Sequence, residues 1–292
     1  MTTKKALLVA ETLKVIKEYT SKLTVRQIYY RLVSRHIIKN IQQEYKYLVG
    51  ALVDARWNRE IPFSAIEDRT RMFIGGDDSP TDPKSHFEQW LNAFKNCANY
   101  YDLPHWSDQQ EYVEVWLEKQ ALQGVFDEVI KEWKVTLFPC RGYPSLTKLY
   151  EAAMRLKAVQ RTGRAIKILY FGDYDPSGQD IPRKVEEDLT KFGIDLELEK
   201  IAITKEQIEK YEIPPFPAKT SDPRFAKFAA EYGEDAVELD AIDPKVLQEI
   251  IRESITGQFD QAIRDEVEER QEKEREEIQN KVEAALKATA KK

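Results

Sequence analysis

The chain has 292 residues, of which 42% are hydrophobic and 33% are charged. This composition is typical of a soluble globular protein with room for two domains. No apolar run approaches the ~20 residues that span a membrane, and the N-terminus lacks the apolar core of a signal peptide, so a cytoplasmic location is expected. The only two cysteines, Cys97 and Cys140, have no CxxC spacing and the three histidines are scattered, so neither disulfides nor zinc are expected.

The net charge of −6 and the pI of about 5.4 argue against nucleic acid as a partner. The distribution of charge argues for it, because basic residues outnumber acidic ones about two to one in residues 1–72. Acidic residues are concentrated elsewhere, notably in residues 265–277. If nucleic acid is a partner, its salt-sensitive contacts are therefore expected in residues 1–72.

The N-terminal segment predicts three helices joined by short turns. Thr24 has the character of an N-cap, with Gln27 three residues later as its capping-box partner. The segment 61–66 could form a β wing, so the pattern indicates a winged-helix domain over residues 1–72, with a generic three-helix cap as the alternative. The helices are predicted over residues 4–19, 25–35 and 42–58.

Beyond this segment, strands alternate with helices. Glycine, proline and aspartate residues between 75 and 83 indicate a linker. From Glu111 the alternation predicts βαβ units, a mainly parallel sheet and therefore an α/β fold class. The predicted divisions are a linker with a connecting helix over residues 73–110, the α/β domain over 111–250 and a charged helical tail over 251–292.

Acidic side chains follow two predicted strands at the points where the strands end. Asp173 and Asp175 come after the apolar run 168–171, and Glu118 follows the run 112–117. The carboxyl ends of parallel strands meet at one edge of a sheet, so these carboxylates should converge there. Carboxylate oxygens are ligands that Mg²⁺ prefers, so the edge could hold one or two magnesium ions.

Two other interpretations of this motif compete with a magnesium site. The motif that starts at Asp173 also matches the opening of an EF-hand loop, but its twelfth position is Lys184 instead of glutamate and a strand precedes it, which excludes calcium. The remaining alternative is an ordinary turn in which Asp175 caps the next helix and Asp173 is solvated.

Three ordered motifs resemble the TOPRIM domain, a Rossmann-like fold, of the topoisomerase VI A subunit and of the related meiotic double-strand-break transesterase. They are Glu118-Lys119, Gly142-Tyr143-Pro144 and Asp173-x-Asp175-Pro176-x-Gly178, and residues 237–242 are similar to a later segment of that family. The resemblance covers about residues 20–250. It implies that Glu118, Asp173 and Asp175 bind Mg²⁺.

The resemblance also implies a nucleophilic tyrosine in an Arg-x-x-(Tyr/Phe)-Tyr motif, which here runs from Arg26 to Tyr30. Helical spacing distinguishes the two tyrosines, because Tyr29 falls on the apolar stripe and Tyr30 on the polar face, four residues from Arg26. A phenol with the ordinary pKa of ~10 is a weak nucleophile, so the charge of Arg26 is expected to favour the phenolate. We therefore expect Tyr30 to be catalytic, together with Arg26 and Glu118.

The family forms head-to-head dimers, which implies a homodimer whose composite sites combine the tyrosine of one copy with the acids of the other. The chain has no Walker-type motif and enters the winged helix after one short helix, so it resembles a reduced, stand-alone form of the kind called mini-A, and an ATPase partner is not expected. Candidate DNA contacts are Arg31, Arg35, Lys46, Arg56 and Arg59.

The expected function is cleavage of duplex DNA, with rejoining, through a 5′-phosphotyrosyl link, as in the A subunit of a type IIB topoisomerase. Two alternatives remain open. One is a metal-dependent TOPRIM nuclease that hydrolyses DNA with water. The other is a winged-helix DNA-binding or regulatory protein without enzymatic activity.

Overall fold

The computed structural model of the chain describes residues 3–19, 22–68, 82–106 and 108–289. These residues fall into two compact units. The first unit contains the N-terminal residues up to 71 together with residues 111–258, and the second contains residues 72–110 together with residues 259–292. Residues 69–81, which include most of the predicted linker, lie outside the described residues.

Helices account for most of the regular structure. They are α1 Thr3–Lys17, α2 Val25–Ser34, α3 Gln42–Trp57, α4 Pro83–Lys95, α5 Gln123–Trp133, α6 Leu146–Gln160, α7 Pro176–Lys191, α8 Lys205–Lys210, α9 Phe225–Tyr232, α10 Pro244–Thr256 and α11 Gln261–Thr289. The strands are β1 Glu111–Leu117, β2 Thr136–Pro139, β3 Ala165–Phe171, β4 Glu197–Ala202, β5 Phe216–Pro217 and β6 Asp235–Ala236.

The three N-terminal helices begin and end within two residues of their predicted bounds. The predicted capping box of α2 is confirmed. Thr24 Oγ1 accepts a hydrogen bond from the backbone N–H of Gln27, and Gln27 Oε1 accepts one from the backbone N–H of Thr24. These two bonds satisfy amides that would otherwise have no partner at the start of the helix, so α2 has a defined beginning.

The predicted wing is not a β-hairpin in the described part of the chain. Phe63–Ala65 forms one turn of 3-10 helix, and Ile66 makes a single parallel bridge with Leu23. Pro62 precedes the turn, and proline has no N–H to donate to a strand ladder. The segment therefore turns instead of pairing with itself.

A four-stranded parallel sheet forms the core of the first unit, which confirms the α/β fold class. The strands lie in the order β2, β1, β3, β4. Leu117 at the end of β1 pairs with Phe171 at the end of β3 and with Pro139 at the end of β2. Three strands therefore end at the same edge of the sheet, which we call the carboxyl edge.

Both faces of the sheet are buried. Ile168 and Tyr170 of β3 pack in the cluster that contains α6 and α7. Phe171 points to the other face, where its ring meets Phe126 of α5 edge-to-face at 5.0 Å. Strands buried on both faces read as continuous apolar runs, which is the pattern of residues 168–171.

The second unit is helical, and the predicted helical character of the C-terminal tail is confirmed there by α11. The charged helix α11 has a packed face, because Val267 and Val282 are buried and Gln271 Oε1 accepts the backbone N–H of Leu103 at 2.6 Å. None of the helices in the described ranges is long and apolar enough to cross a membrane.

Candidate active site

Glu118 and Asp173 meet at the carboxyl edge, as predicted. The backbone N–H of Glu118 donates to the carbonyl oxygen of Phe171 at 2.8 Å, which continues the β1–β3 pairing by one residue. The backbone N–H of Asp173 then donates to Glu118 Oε2 at 2.9 Å. Both side chains are buried, so the alternative in which Asp173 is solvated is wrong.

Asp175 caps α7. The alternative of an ordinary turn also predicted this cap, and that part of it is confirmed. Its Oδ1 accepts hydrogen bonds from the backbone N–H of Gly178 at 2.7 Å and from Ser177 Oγ at 2.8 Å. A carboxylate at this position also interacts favourably with the helix dipole. Asp175 still lies near the acidic pair, because its negative charge contributes to raising the pKa of Glu118, after the larger effect of burial.

The loop between β3 and α7 requires glycine at two positions. A Cβ atom on Gly172 would lie 2.6 Å from Glu118 Oε2, and one on Gly178 would overlap the backbone carbonyl of Asp173. The first turn of α7 is therefore packed directly against the backbone that carries Asp173. This contact explains why glycine follows the two aspartates at this spacing.

Replacing Gly178 by alanine is expected to destabilise the protein by about 3 kcal/mol or more, because the clash is with backbone that cannot rotate away. The matched control is Gly50→Ala on α3, where a new Cβ meets nothing within 4 Å. That change should be neutral or stabilising by up to ~1 kcal/mol, since alanine is the better helix former. Thermal unfolding measures both, and equal midpoints for the two variants would contradict the close packing at Gly178.

Lys119 is the centre of an ionic cluster that the sequence motifs did not reveal. Its ammonium lies 2.9 Å from Asp173 Oδ2, 3.1 Å from Asp240 Oδ2 and 3.2 Å from Glu238 Oε2. Asp173 Oδ1 accepts the backbone N–H of Leu239 at 2.8 Å. The segment 238–240 is thus bound to the carboxyl edge through one lysine and one amide.

The charged groups in this cluster shift one another's pKa values. Burial raises the pKa of Asp173, as does the neighbouring Glu118, whereas Lys119 acts in the opposite direction. Burial opposes the charge of Lys119, but Asp173, Asp240 and Glu238 together keep the pKa of its ammonium above the usual value. Lys119 therefore stays protonated at neutral pH and serves as the counter-ion of the buried carboxylates.

A second buried lysine supports the same loop from β4. Lys200 Nζ donates to the backbone carbonyl oxygens of Asp173 at 2.8 Å and of Gly178 at 3.1 Å. Burial lowers its pKa to about 8, against the attraction of the three carboxylates Glu118, Asp173 and Asp175. Strand pairing with Tyr170 brings Lys200 to this position. The sequence signal that could have indicated this role of Lys200 is the presence of a lysine within the strand segment 197–202.

The donor chemistry of the carboxyl edge fits magnesium, but the arrangement is not a ready-made site. Among the described residues, no group of three or more His, Cys, Asp or Glu side chains is placed to hold a metal ion. The two carboxylate oxygens of Asp173 are instead bound by Lys119 and by the amide of Leu239. Glu118 Oε1 and Asp175 Oδ2 remain as hard oxygen donors, and Asp240 Oδ1 is buried with no hydrogen-bond partner in the described part of the chain.

Tyr30 is buried on α2, with 3% of its surface exposed, instead of being exposed on a polar face. The 3-10 turn at Leu239–Ala241 packs on α2. The surroundings are nevertheless polar, because Arg26 donates to Glu238 Oε1 at 2.5 Å beside the phenol. Glu238 therefore links Arg26, next to Tyr30, to Lys119 at the carboxyl edge.

The predicted effect of Arg26 on Tyr30 is present but is outweighed. Burial and then the negative charge of Glu238 raise the pKa of Tyr30 above its ordinary value, whereas Arg26 and Lys119 act to lower it. Arg26 forms an ion pair with Glu238, and this pairing reduces the effect of its positive charge on the pKa of the phenol. In this arrangement Tyr30 is a neutral phenol at physiological pH.

Tyr29 has the structural role that the helical pattern predicted. Its side chain is buried, and its hydroxyl lies 3.2 Å from each of the backbone oxygens of Lys39 and Ile41 and from Asn40 Oδ1. Its ring meets those of Tyr30 and Tyr45 edge-to-face. Tyr29 therefore anchors the turn between α2 and α3.

One of the five candidate DNA contacts is a structural residue. Arg31 is buried, with Nη1 2.9 Å from Asp243 Oδ2 and Nη2 on the carbonyl oxygen of Ala241, so it is not available for DNA. Arg35 pairs with Glu18 near the surface. Arg56 lies 6.0 Å over the ring of Phe63. Lys46 and Arg59 are exposed.

Comparison of the chain with known proteins found no matching family model, no matching curated protein and no matching solved structure. A function has to be argued from the residues themselves.

Proposed function

We propose that this protein is a DNA transesterase that resembles the topoisomerase VI A subunit and cleaves duplex DNA through Tyr30. One observation carries the proposal. Ionic contacts run from Arg26, one helical turn before Tyr30 on α2, through Glu238 and Lys119 to Asp173. A tyrosine, an arginine and the acidic sheet edge are the three components that the resemblance assigns to one reaction.

In the proposed reaction, the phenol oxygen of Tyr30 attacks the scissile phosphorus. A bond forms between this oxygen and phosphorus, and the bond from phosphorus to the 3′ oxygen breaks. The phenol loses its proton and the leaving 3′ oxygen gains one, so the step needs no water, no oxidant and no nucleotide cofactor. The phosphotyrosyl ester keeps the energy of the phosphodiester, and the reverse step rejoins the strand.

Cationic groups assist this step. Arg26 beside Tyr30 would stabilise the phenolate and the charge that develops on the phosphoryl oxygens. Glu118, Asp173 and Asp175 are the residues that would hold Mg²⁺, which supplies positive charge to the phosphate when it is bound. For Asp173 to serve in this way, Lys119 has to leave its Oδ2 atom.

The proposal extends to architecture and partners. Helices α1–α3 would act as the DNA-binding helices of a winged-helix domain in which a 3-10 turn at Phe63–Ala65 stands in place of the β wing. The parallel sheet would act as a TOPRIM domain, and Lys46, Arg56 and Arg59 would be DNA contacts. Cleavage of both strands needs two nucleophiles, and the proposed homodimer supplies one tyrosine for each strand. Arg26, beside Tyr30, is connected to the acids of its own chain, so a composite site would require these contacts to be exchanged for those of the second copy. No ATPase partner is part of the proposal.

The deciding experiment incubates the protein with supercoiled plasmid and Mg²⁺ and then denatures the mixture with and without protease. Linear DNA that enters a gel only after protease treatment carries bound protein and supports the proposal. Free ends that need no protease would overturn it in favour of a metal nuclease, which the burial of Tyr30 favours. No cleavage with any divalent cation would favour a non-enzymatic DNA-binding protein, in which Lys119 serves only to neutralise the acids.

Glu238 is, after burial, the largest cause of the raised pKa of Tyr30, so Glu238→Gln has a predicted effect on the pH dependence of cleavage. The substitution removes the negative charge beside the phenol and frees Arg26 to act on it, so the pKa of Tyr30 should fall. The rate of cleavage should then rise several-fold near pH 7.5, with the pH–rate curve displaced to lower pH. Glu253→Gln, at an exposed position on α10, is the control. An unshifted curve would show that Glu238 does not tune Tyr30.

A further inference from the structure

A cavity of about 370 Å³ opens onto Tyr30. On one side it is lined by Arg26, Tyr30 and Tyr45 of the N-terminal helices. On the other side it is lined by Phe216, Pro217, Lys219 and Glu238. Its volume lies at the lower end of the range of about 300–1,000 Å³ that holds small ligands. Tyr30 is otherwise buried, so this cavity is the route by which a substrate group would reach the phenol.

The walls of the cavity are held together by direct contacts. Asn40 Nδ2 donates to the backbone oxygens of Pro214 and Pro215 at 3.2 and 3.1 Å, which ties the turn before α3 to the segment that leads into β5. The guanidinium of Arg26 lies 5.4 Å over the ring of Tyr45 and is bound to Glu238. The cavity is therefore preformed.

Lys219 brings a second positive charge to this cavity from the wall opposite to α2. Lys219 lies two residues after the end of β5 and is exposed. The carboxylate nearest to it along the chain, Asp222, is bound by Arg224 at 2.8 Å. Arg26 is already paired with Glu238, so the charge of Lys219 leaves the cavity with an excess of one positive charge among these three groups.

We propose that this cavity binds the phosphodiester next to Tyr30 and that Lys219 is its second cationic contact. This inference rests on the proposed function and adds to it a residue and a binding pocket. A phosphodiester carries one negative charge, which matches the one positive charge in excess. The rings of Tyr45 and Phe216 in the walls would contact the flanking sugar and base.

The test is a binding measurement that needs no cleavage. Protein labelled with ¹³C in its tyrosine rings is titrated in EDTA with thymidylyl-(3′→5′)-thymidine, which contains one phosphodiester. The signal of Tyr30 is the one that is lost in Tyr30→Phe. We expect this signal to move on titration in the wild-type protein, and we expect Lys219→Ala to weaken the binding at least about tenfold.

Two further variants separate a phosphate contact from a general loss of charge. Lys219→Arg should retain binding, and Lys227→Ala, which removes an exposed lysine from α9, should bind like the wild type. In the plasmid assay, Lys219→Ala should cleave about 100-fold more slowly at saturating DNA. A Tyr30 signal that does not respond to the probe, or equal binding by Lys219→Ala and the wild type, would overturn the inference.

The two proposals fail in different ways. A protein that binds the probe at Tyr30 through Lys219 and never cleaves DNA would contradict the proposed function alone. A protein that cleaves DNA through Tyr30 at the same rate with and without Lys219 would contradict the role of Lys219 alone.

Discussion

Replacing Tyr30 by phenylalanine is expected to abolish protein-linked cleavage of DNA, with a loss of about 10⁴-fold or more, because the variant has no nucleophile. The change removes one oxygen from a ring that is already packed against Tyr29, so the fold should survive. The measurement is the amount of protease-dependent linear plasmid. DNA binding at low salt should stay within a few-fold of the wild type, because the substitution removes no charge.

Tyr29→Phe is the matched control, since it deletes the same atom from the neighbouring residue. The Tyr29 hydroxyl is bonded within the turn between α2 and α3, so its loss should cost about 1 kcal/mol of stability and leave cleavage intact. If Tyr29→Phe abolished cleavage and Tyr30→Phe did not, the assignment of the two tyrosines would be reversed. Covalent linkage that survived both changes would exclude either residue as the nucleophile.

Lys119→Met is expected to destabilise the first unit by about 3–5 kcal/mol, because it leaves the buried Asp173 and its acidic neighbours without their shared counter-ion. For a unit of this size, such a loss lowers the unfolding midpoint by about 10 °C. Lys148→Met is the control, since Lys148 pairs with Glu151 at the surface and both side chains are more than half exposed. Its effect should be below ~0.5 kcal/mol.

The same variant tests whether the carboxyl edge can take a divalent cation. Methionine removes the ammonium that is bound to the carboxylate of Asp173 and so leaves that carboxylate open to a cation. Mg²⁺ or Mn²⁺ should therefore raise the unfolding midpoint of Lys119→Met more than that of the wild type. A midpoint of Lys119→Met equal to that of the wild type without metal would contradict the role of Lys119 as counter-ion. Equal metal shifts in the two proteins would show that Lys119 and the cation do not share a position.

Local sequence patterns were sufficient to predict the helices and strands named here and part of the candidate active site. The capping box at Thr24, the bounds of α2 and the strand β3 follow from hydrogen bonding and apolar periodicity within a few residues. Parallel strands end at one edge, so the meeting of Glu118 with Asp173 could also be inferred from strand order alone. The prediction of a β wing was wrong. Pro62 has no N–H to donate to a strand ladder, and the residues after it form a 3-10 turn.

The surroundings of Tyr30 depended instead on contacts between distant parts of the chain. Residues 238–243 are about 210 positions away from α2, yet they pack on this helix, pair with Arg26 and Arg31, and supply two carboxylates to Lys119. Helical periodicity describes only which residues share a face of α2. It carries no information on which remote segment will cover that face, and burial together with the charge of that segment sets the pKa of a phenol.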